Sequence, residues 1–157
     1  MLKCRFLMTP HGRFGLSLMP LLFMGLLTGL FLGLPASALD VPVLTGRVVD
    51  LAGLLTPQQV QALDARLQLL EKINSTQLVV LTVPSLEGES LEDFTMRVAE
   101  SWKLGQKGID NGVLLFIALQ DRAMRIEVGY GLEATLTDAM TSRIIRNEMT
   151  PRFRSGD

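Results

Sequence analysis

Two short apolar runs do most to limit what this chain can fold into. "QLVVLTV" (77–83) and "GVLLFIAL" (112–119) are continuous and bounded by turn signals, and the first is rich in β-branched residues. Runs of this length and make-up suit strands covered on both faces. Between them lies "SLEDFTMRVAESWKLG" (90–105), in which Leu91, Phe94, Val98 and Trp102 share one helical face. Ser90 with Asp93 reads as a capping box and Gly105 as a C-cap glycine. Strand, helix, strand predicts a βαβ unit with parallel strands.

The flanking segments extend that unit. "TPQQVQALDARLQLLEKIN" opens on Thr56 as N-cap and Pro57 at the first helical position, and Val60, Leu63, Leu67 and Leu70 keep helical spacing. A helix over 57–73 is expected, with Asn74 as its stop. Ahead of it, Val48 and Val49 suggest a short strand. After the second apolar run, "QDR" (120–122) is a tight turn and "AMRIEV" (123–128) alternates, with Met124, Ile126 and Val128 opposite Arg125 and Glu127. That predicts an antiparallel partner with one exposed face. A last helix should start near Thr137, with Met140, Ile144, Ile145 and Met149 as its apolar stripe and Pro151 ending or kinking it. The sum is an α/β fold, a small three-layer domain with a central mixed β-sheet flanked by helices.

The N-terminus reads differently. Lys3, Arg5 and Arg13 precede a charge-free run over 14–34, and Ala36 and Ala38 then form an A-x-A site. This predicts a secretory signal peptide over 1–38, cleaved after Ala38, and an exported domain over 39–157. The apolar run is also near the ~20 residues that span a bilayer, so an uncleaved anchor is the alternative. Arg152, Phe153 and Arg154 read as the start of a further element, so the domain is expected to be truncated at its C-terminus. Membrane association is expected through the N-terminal segment or through sequence beyond 157.

Composition narrows the chemistry. Three of the 15 basic residues lie in the leader, so 12 stand against 16 acids beyond it, a net charge of −4. An acidic surface argues against nucleic acid as partner. Residues 39–157 contain no Cys and no His, since Cys4 and His11 are the only ones. Disulfides, thiol nucleophiles, Ser-His-Asp triads and His-ligated zinc are thereby excluded from that region. Hard cations with oxygen ligands, Ca2+ or Mg2+, are the metals such a chain could hold.

The predicted hairpin brings distant acids together. It returns Gly129 to the side of Asp110, so "GIDNG" (108–112) and "GYGLEATLTD" (129–138) should meet at one sheet edge. Asp110, Asn111, Glu133 and Asp138 can converge there. Gly129 and Gly131 would let the backbone bend sharply or approach a ligand. The start of the last helix could receive an anion. Turn chemistry is the competing reading: Asp110-Asn111-Gly112 is a strong turn sequence, Asp138 could close a capping box with Thr135, and Glu133 could simply be solvated. Tyr130 is a surface aromatic or a ligand lid. Topology alone puts Asp50 at the opposite edge.

Together "VPVLTGRVVDLAGLLTPQQV", "QLVVLTVPSLEGESLEDF", "GIDNGVLLFIALQDRAMRIEVGYGLEATLTD" and "RIIRNEMTPRFRSGD" resemble the TPM domain family over about residues 41–157. That family includes YgcG-like bacterial envelope proteins and a plant thylakoid-lumen protein linked to photosystem II repair. The resemblance implies an α/β sandwich with a central mixed sheet. It also implies binding of a divalent cation, usually Ca2+, by acidic loops. Carried over, the ligands would be Asp50, Asp110 and Asp138, with Asn111 where relatives often have a second Asp. Two functions follow as expectations. One is a non-catalytic envelope module that binds Ca2+ (or Mg2+) or a membrane-protein partner and assists assembly or turnover. The other is a metal-assisted acid phosphatase acting on phosphomonoesters, an activity proposed for the plant branch. In it Asp110 or Asp138 would orient water or attack, and Arg125 or Arg143 would clamp the phosphate.

Overall fold

The computed structural model describes residues 38–156. The signal sequence expected over 1–38 therefore lies, apart from Ala38, outside the described residues. The sheet has four strands in the order β1 (Val48–Asp50), β2 (Gln77–Val83), β3 (Gly112–Ala118) and β4 (Ala123–Val128). β1, β2 and β3 are parallel, and β4 returns antiparallel to β3. Asp50 pairs with Thr82, Gln77 with Gly112 and Val113 with Val128. These three pairings fix which ends of which strands share an edge.

α1 (Pro57–Asn74) lies on one face of the sheet and α2 (Leu91–Trp102) on the other. On the α1 face Val48, Val80 and Leu67 form a small core, joined by Val60 and Leu63. On the α2 face a larger core gathers Val49, Leu81, Val83, Leu114, Phe116, Phe94 and Val98. Strand residues two apart feed the same face, which is why 81 and 83 and 114, 116 and 118 act together. Phe94 meets Phe116 edge-on, with centroids 5.4 Å apart. Full burial of such side chains contributes about 1.5–3 kcal/mol each.

The helix ends follow local chemistry. At α1 the Gln59 N–H donates to the Thr56 hydroxyl (3.3 Å) and the Thr56 N–H to the Gln59 side chain (2.8 Å), a reciprocal box. Ser90 accepts from the Asp93 N–H at 3.3 Å. α2 ends before the expected glycine: Lys103 takes the left-handed cap at φ 50°. Gly105 serves instead as a contact point, since a Cβ there would sit 2.6 Å from the Gly112 nitrogen.

The last helical segment departs most from its pattern. It runs as α3 (Asp138–Ile144), a π turn (Ile145–Met149) and α4 (Thr150–Ser155). Pro151 has no N–H and its ring would press on the carbonyl four residues back. The preceding turn widens, and both the N–H and the hydroxyl of Thr150 donate to the Ile145 carbonyl. A wide turn shifts the helical phase, so the expected stripe does not stay on one face. Met140 and Ile144 are exposed, Ile145 and Met149 are half-buried, and Thr141 is the buried residue of α3. No helix among the described residues is long and apolar enough to cross a membrane.

Candidate functional site

The expected meeting of the two loops is present, and backbone builds it. The Gly129 N–H donates to the Gly112 carbonyl at 2.8 Å and the Gly131 N–H to the Asp110 carbonyl at 3.1 Å. A Cβ on Gly129 would lie 2.2 Å from the Asp110 oxygen, and one on Gly131 1.8 Å from the Ile109 oxygen. The two glycines therefore admit a neighbouring loop, where a sharp bend or the approach of a ligand was expected. Tyr130–Leu132 form a 3-10 turn over this junction, with the Tyr130 side chain exposed.

The acids and Asn111 fare unequally at this edge. Asp110 is exposed and left-handed at φ 51°, a conformation Asp tolerates better than most residues. Its N–H bonds the Gln106 carbonyl at 2.9 Å. Among the described residues its carboxylate has no hydrogen-bond or ion-pair partner. Asn111, one position on, is buried: its Oδ1 accepts from the Gln106 N–H at 2.8 Å and its Nδ2 donates to the Ser75 carbonyl. It stitches the β3 start to the end of α1. Glu133 is exposed on the facing loop, just after the 3-10 turn. Asp138 is the first residue of α3, capped by Thr137, not by the Thr135 pairing, and its charge acts on Arg125.

Asp50 lies at the other edge, as topology requires. It closes β1 opposite Thr82, whereas Asp110 precedes the start of β3. Its carboxylate accepts from the Leu54 N–H (3.1 Å), the Leu55 N–H (2.8 Å) and the Thr82 hydroxyl. Burial alone would raise its pKa, but the Thr82 hydroxyl and the amides of residues 53–55 outweigh that and hold it low. Asp50 is thus the organiser of the loop that carries β1 into α1. Among the described residues no group of three or more acidic side chains is placed to hold a metal ion.

A family model of the TPM domain matches residues 48–157. The chain belongs to the TPM domain family. Its solved relatives include the solution NMR structure of the N-terminal domain of a protein from P. gingivalis, 41% identical, with a TM-score of 0.68 over 74% of this chain and 78% of that one. No curated protein is a match.

One polar cluster of this TPM domain escaped the sequence reading. Arg125 and Glu127 were expected on an exposed face, yet β4 is half-buried throughout and both side chains lie under α2. Arg125 Nε donates to Glu127 Oε2 at 2.6 Å, and Glu92 stands 3.8 Å from the guanidinium. The fully buried Thr95 hydroxyl shares its proton between the Glu92 carbonyl (3.1 Å) and Glu127 Oε2 (3.3 Å). The available signal was the Arg-x-Glu pair on a strand whose neighbour helix carries Glu92 and Thr95.

Proposed function

We propose that the chain is an exported TPM-domain module of the cell envelope that holds a divalent cation, Ca2+ or Mg2+, at the Asp110–Glu133 edge. There it assists the assembly or turnover of envelope and membrane proteins. The observation that carries this reading is the Asp110 carboxylate, exposed and without a protein partner among the described residues, on an edge locked by backbone contacts. Its donor chemistry fits a hard cation: carboxylate oxygens of Asp110 and Glu133, backbone carbonyls and water. Asp50 lies at the far edge with its oxygens engaged, and Asn111 is buried with its oxygen taken, so neither supports the site. So few charges favour an affinity of about 10⁻⁴–10⁻³ M, the range of extracellular modules.

The test is a Ca2+ titration followed by amide NMR. Resonances of 108–112 and 129–138 should move while those of 50–55 stay. Absence of any shift at millimolar Ca2+ would end the cation reading. The phosphatase alternative is less supported, because Arg125, a proposed clamp, is already engaged by Glu127 and Glu92. Phosphomonoester hydrolysis by the chain that disappears in Asp110→Ala would reverse that order.

A further inference from the structure

Leu39 is held at three points. Its N–H donates to Glu89 Oε2 at 2.8 Å, its carbonyl accepts from Arg97 Nη2 at 2.6 Å, and its side chain packs against the α2-face core. Arg97 pairs with Glu89 through both of its terminal nitrogens and stacks over the Phe94 ring, 5.3 Å from the centroid. Three residues on, the Pro42 carbonyl accepts from Trp102 Nε1 at 2.7 Å. The residue gripped this way directly follows the A-x-A site, and Ala38 on its other side is exposed. A cleavage signal and a clamp thus meet at one peptide bond, from independent observations.

We propose that the Ala38–Leu39 bond is a processing site and that Glu89 and Arg97 form a receptor for the α-ammonium group its cleavage creates. This rests on the export reading above. Hydrolysis by an endopeptidase adds one water across the C–N bond. Ala38 leaves as a carboxylate and Leu39 keeps the nitrogen as an ammonium at neutral pH, since α-amino groups titrate near ~7.7–8.0. The existing N–H to Glu89 contact then becomes a charge-assisted bond with no movement of the chain.

The charge around Leu39 favours this. Glu89 from the preceding loop, Asp93 from α2 and Asp40 from the segment itself all act on Arg97. Glu87 lines the same cleft as Leu39 and Asp40. Arg97 is the one cation named by these contacts, so an added positive charge meets an excess of carboxylate. First the Arg97 hydrogen bonds, then the Leu39 amide, hold the Glu89 carboxyl below its usual range despite burial, which keeps it ionised. An ammonium facing it has its pKa raised on folding. Its stabilisation is therefore full below the unfolded α-amino pKa and fades as pH rises through the folded value.

The experiment compares residues 39–157 bearing a free Leu39 amine with the same chain N-acetylated. The residues from 39 on contain their own core, and the P. gingivalis relative was solved as a domain by itself. Acetylation keeps the N–H and removes the charge. At pH 6.5 the free form should unfold about 2–5 °C higher, with the gap closing as pH rises above about 8. Glu89→Gln should abolish the gap at pH 6.5. Equal midpoints at pH 6.5, or a gap indifferent to pH, overturn the receptor. N-terminal sequencing of the exported full chain separates the two layers. Leu39 as first residue supports the processing site; another first residue overturns it, and an intact leader overturns the export reading beneath it.

Discussion

Asp50 and Asp110 are the same residue type at opposite edges of one sheet, and their surroundings could hardly differ more. Asp50 accepts two amides and a hydroxyl and is tied to the loop it shapes. Asp110 sits in a turn whose conformation its backbone satisfies, and among the described residues its carboxylate has no partner. A charge that is already hydrogen-bonded contributes to the fold, whereas a free one is available to a ligand. The same division runs through the molecule. Asp64 accepts from the Arg47 N–H and Asp121 from the Leu86 N–H, each holding a loop. These acids act as loop staples, and Asp110, with its carboxylate unpartnered among the described residues, does not.

The largest expected effect breaks the Asp110 edge itself. Gly131→Ala would put a Cβ 1.8 Å from a backbone oxygen, with no flexible side chain to give way. The loops must part, and a loss of about 3 kcal/mol or more is expected by urea unfolding. A loss under about 1 kcal/mol would show that the junction is looser than the hydrogen bonds imply. Next comes Asp50→Ala, which orphans the Thr82 hydroxyl and two amides. Its half-exposed site moderates the cost to about 2–3 kcal/mol. The pH dependence sharpens this. The depressed pKa of Asp50 contributes stability above its unfolded value of 3.8, lost as pH falls through the folded one. The stability gap between wild type and Asp50→Asn should therefore narrow in acid, and a gap constant from pH 7 down to about 2 would refute that assignment.

How much of this was legible in the sequence follows from which forces act locally. The strands 77–83 and 112–119, the turn at 120–122 and the Thr56 cap could be read because apolar runs and capping residues act within a few positions. The meeting of Gly129 with Asp110 was also legible, because a hairpin forces it. The course of the last helix beyond Ile144 was not, since the π turn answers Pro151 through a five-residue hydrogen bond that no apolar spacing announces. The fate of the acids was half-legible. Topology placed Asp50 at the far edge, against the family resemblance that grouped it with Asp110. Yet its partner Thr82 lies 32 positions away, beyond any local pattern. Asn111, standing where relatives often have a second Asp, proved to be a buried stitch between α1 and β3 for the same reason.

The smallest expected effect is the sharpest test of the comparison. Asp110→Asn keeps the shape and the tolerance for left-handed backbone, and removes only the charge. With no partner to lose among the described residues, its stability should change by less than about 0.5 kcal/mol. The Ca2+-dependent amide shifts at 108–112 and 129–138 should vanish in the same variant. Asp50→Asn should do the reverse, lowering stability and sparing the shifts. If Asp110→Asn were the more destabilising of the two, the Asp110 carboxylate would have a structural role like that of Asp50. If Asp50→Asn abolished the shifts, the two edges would be coupled. Either result would dissolve the distinction between staple and ligand drawn from their hydrogen bonds.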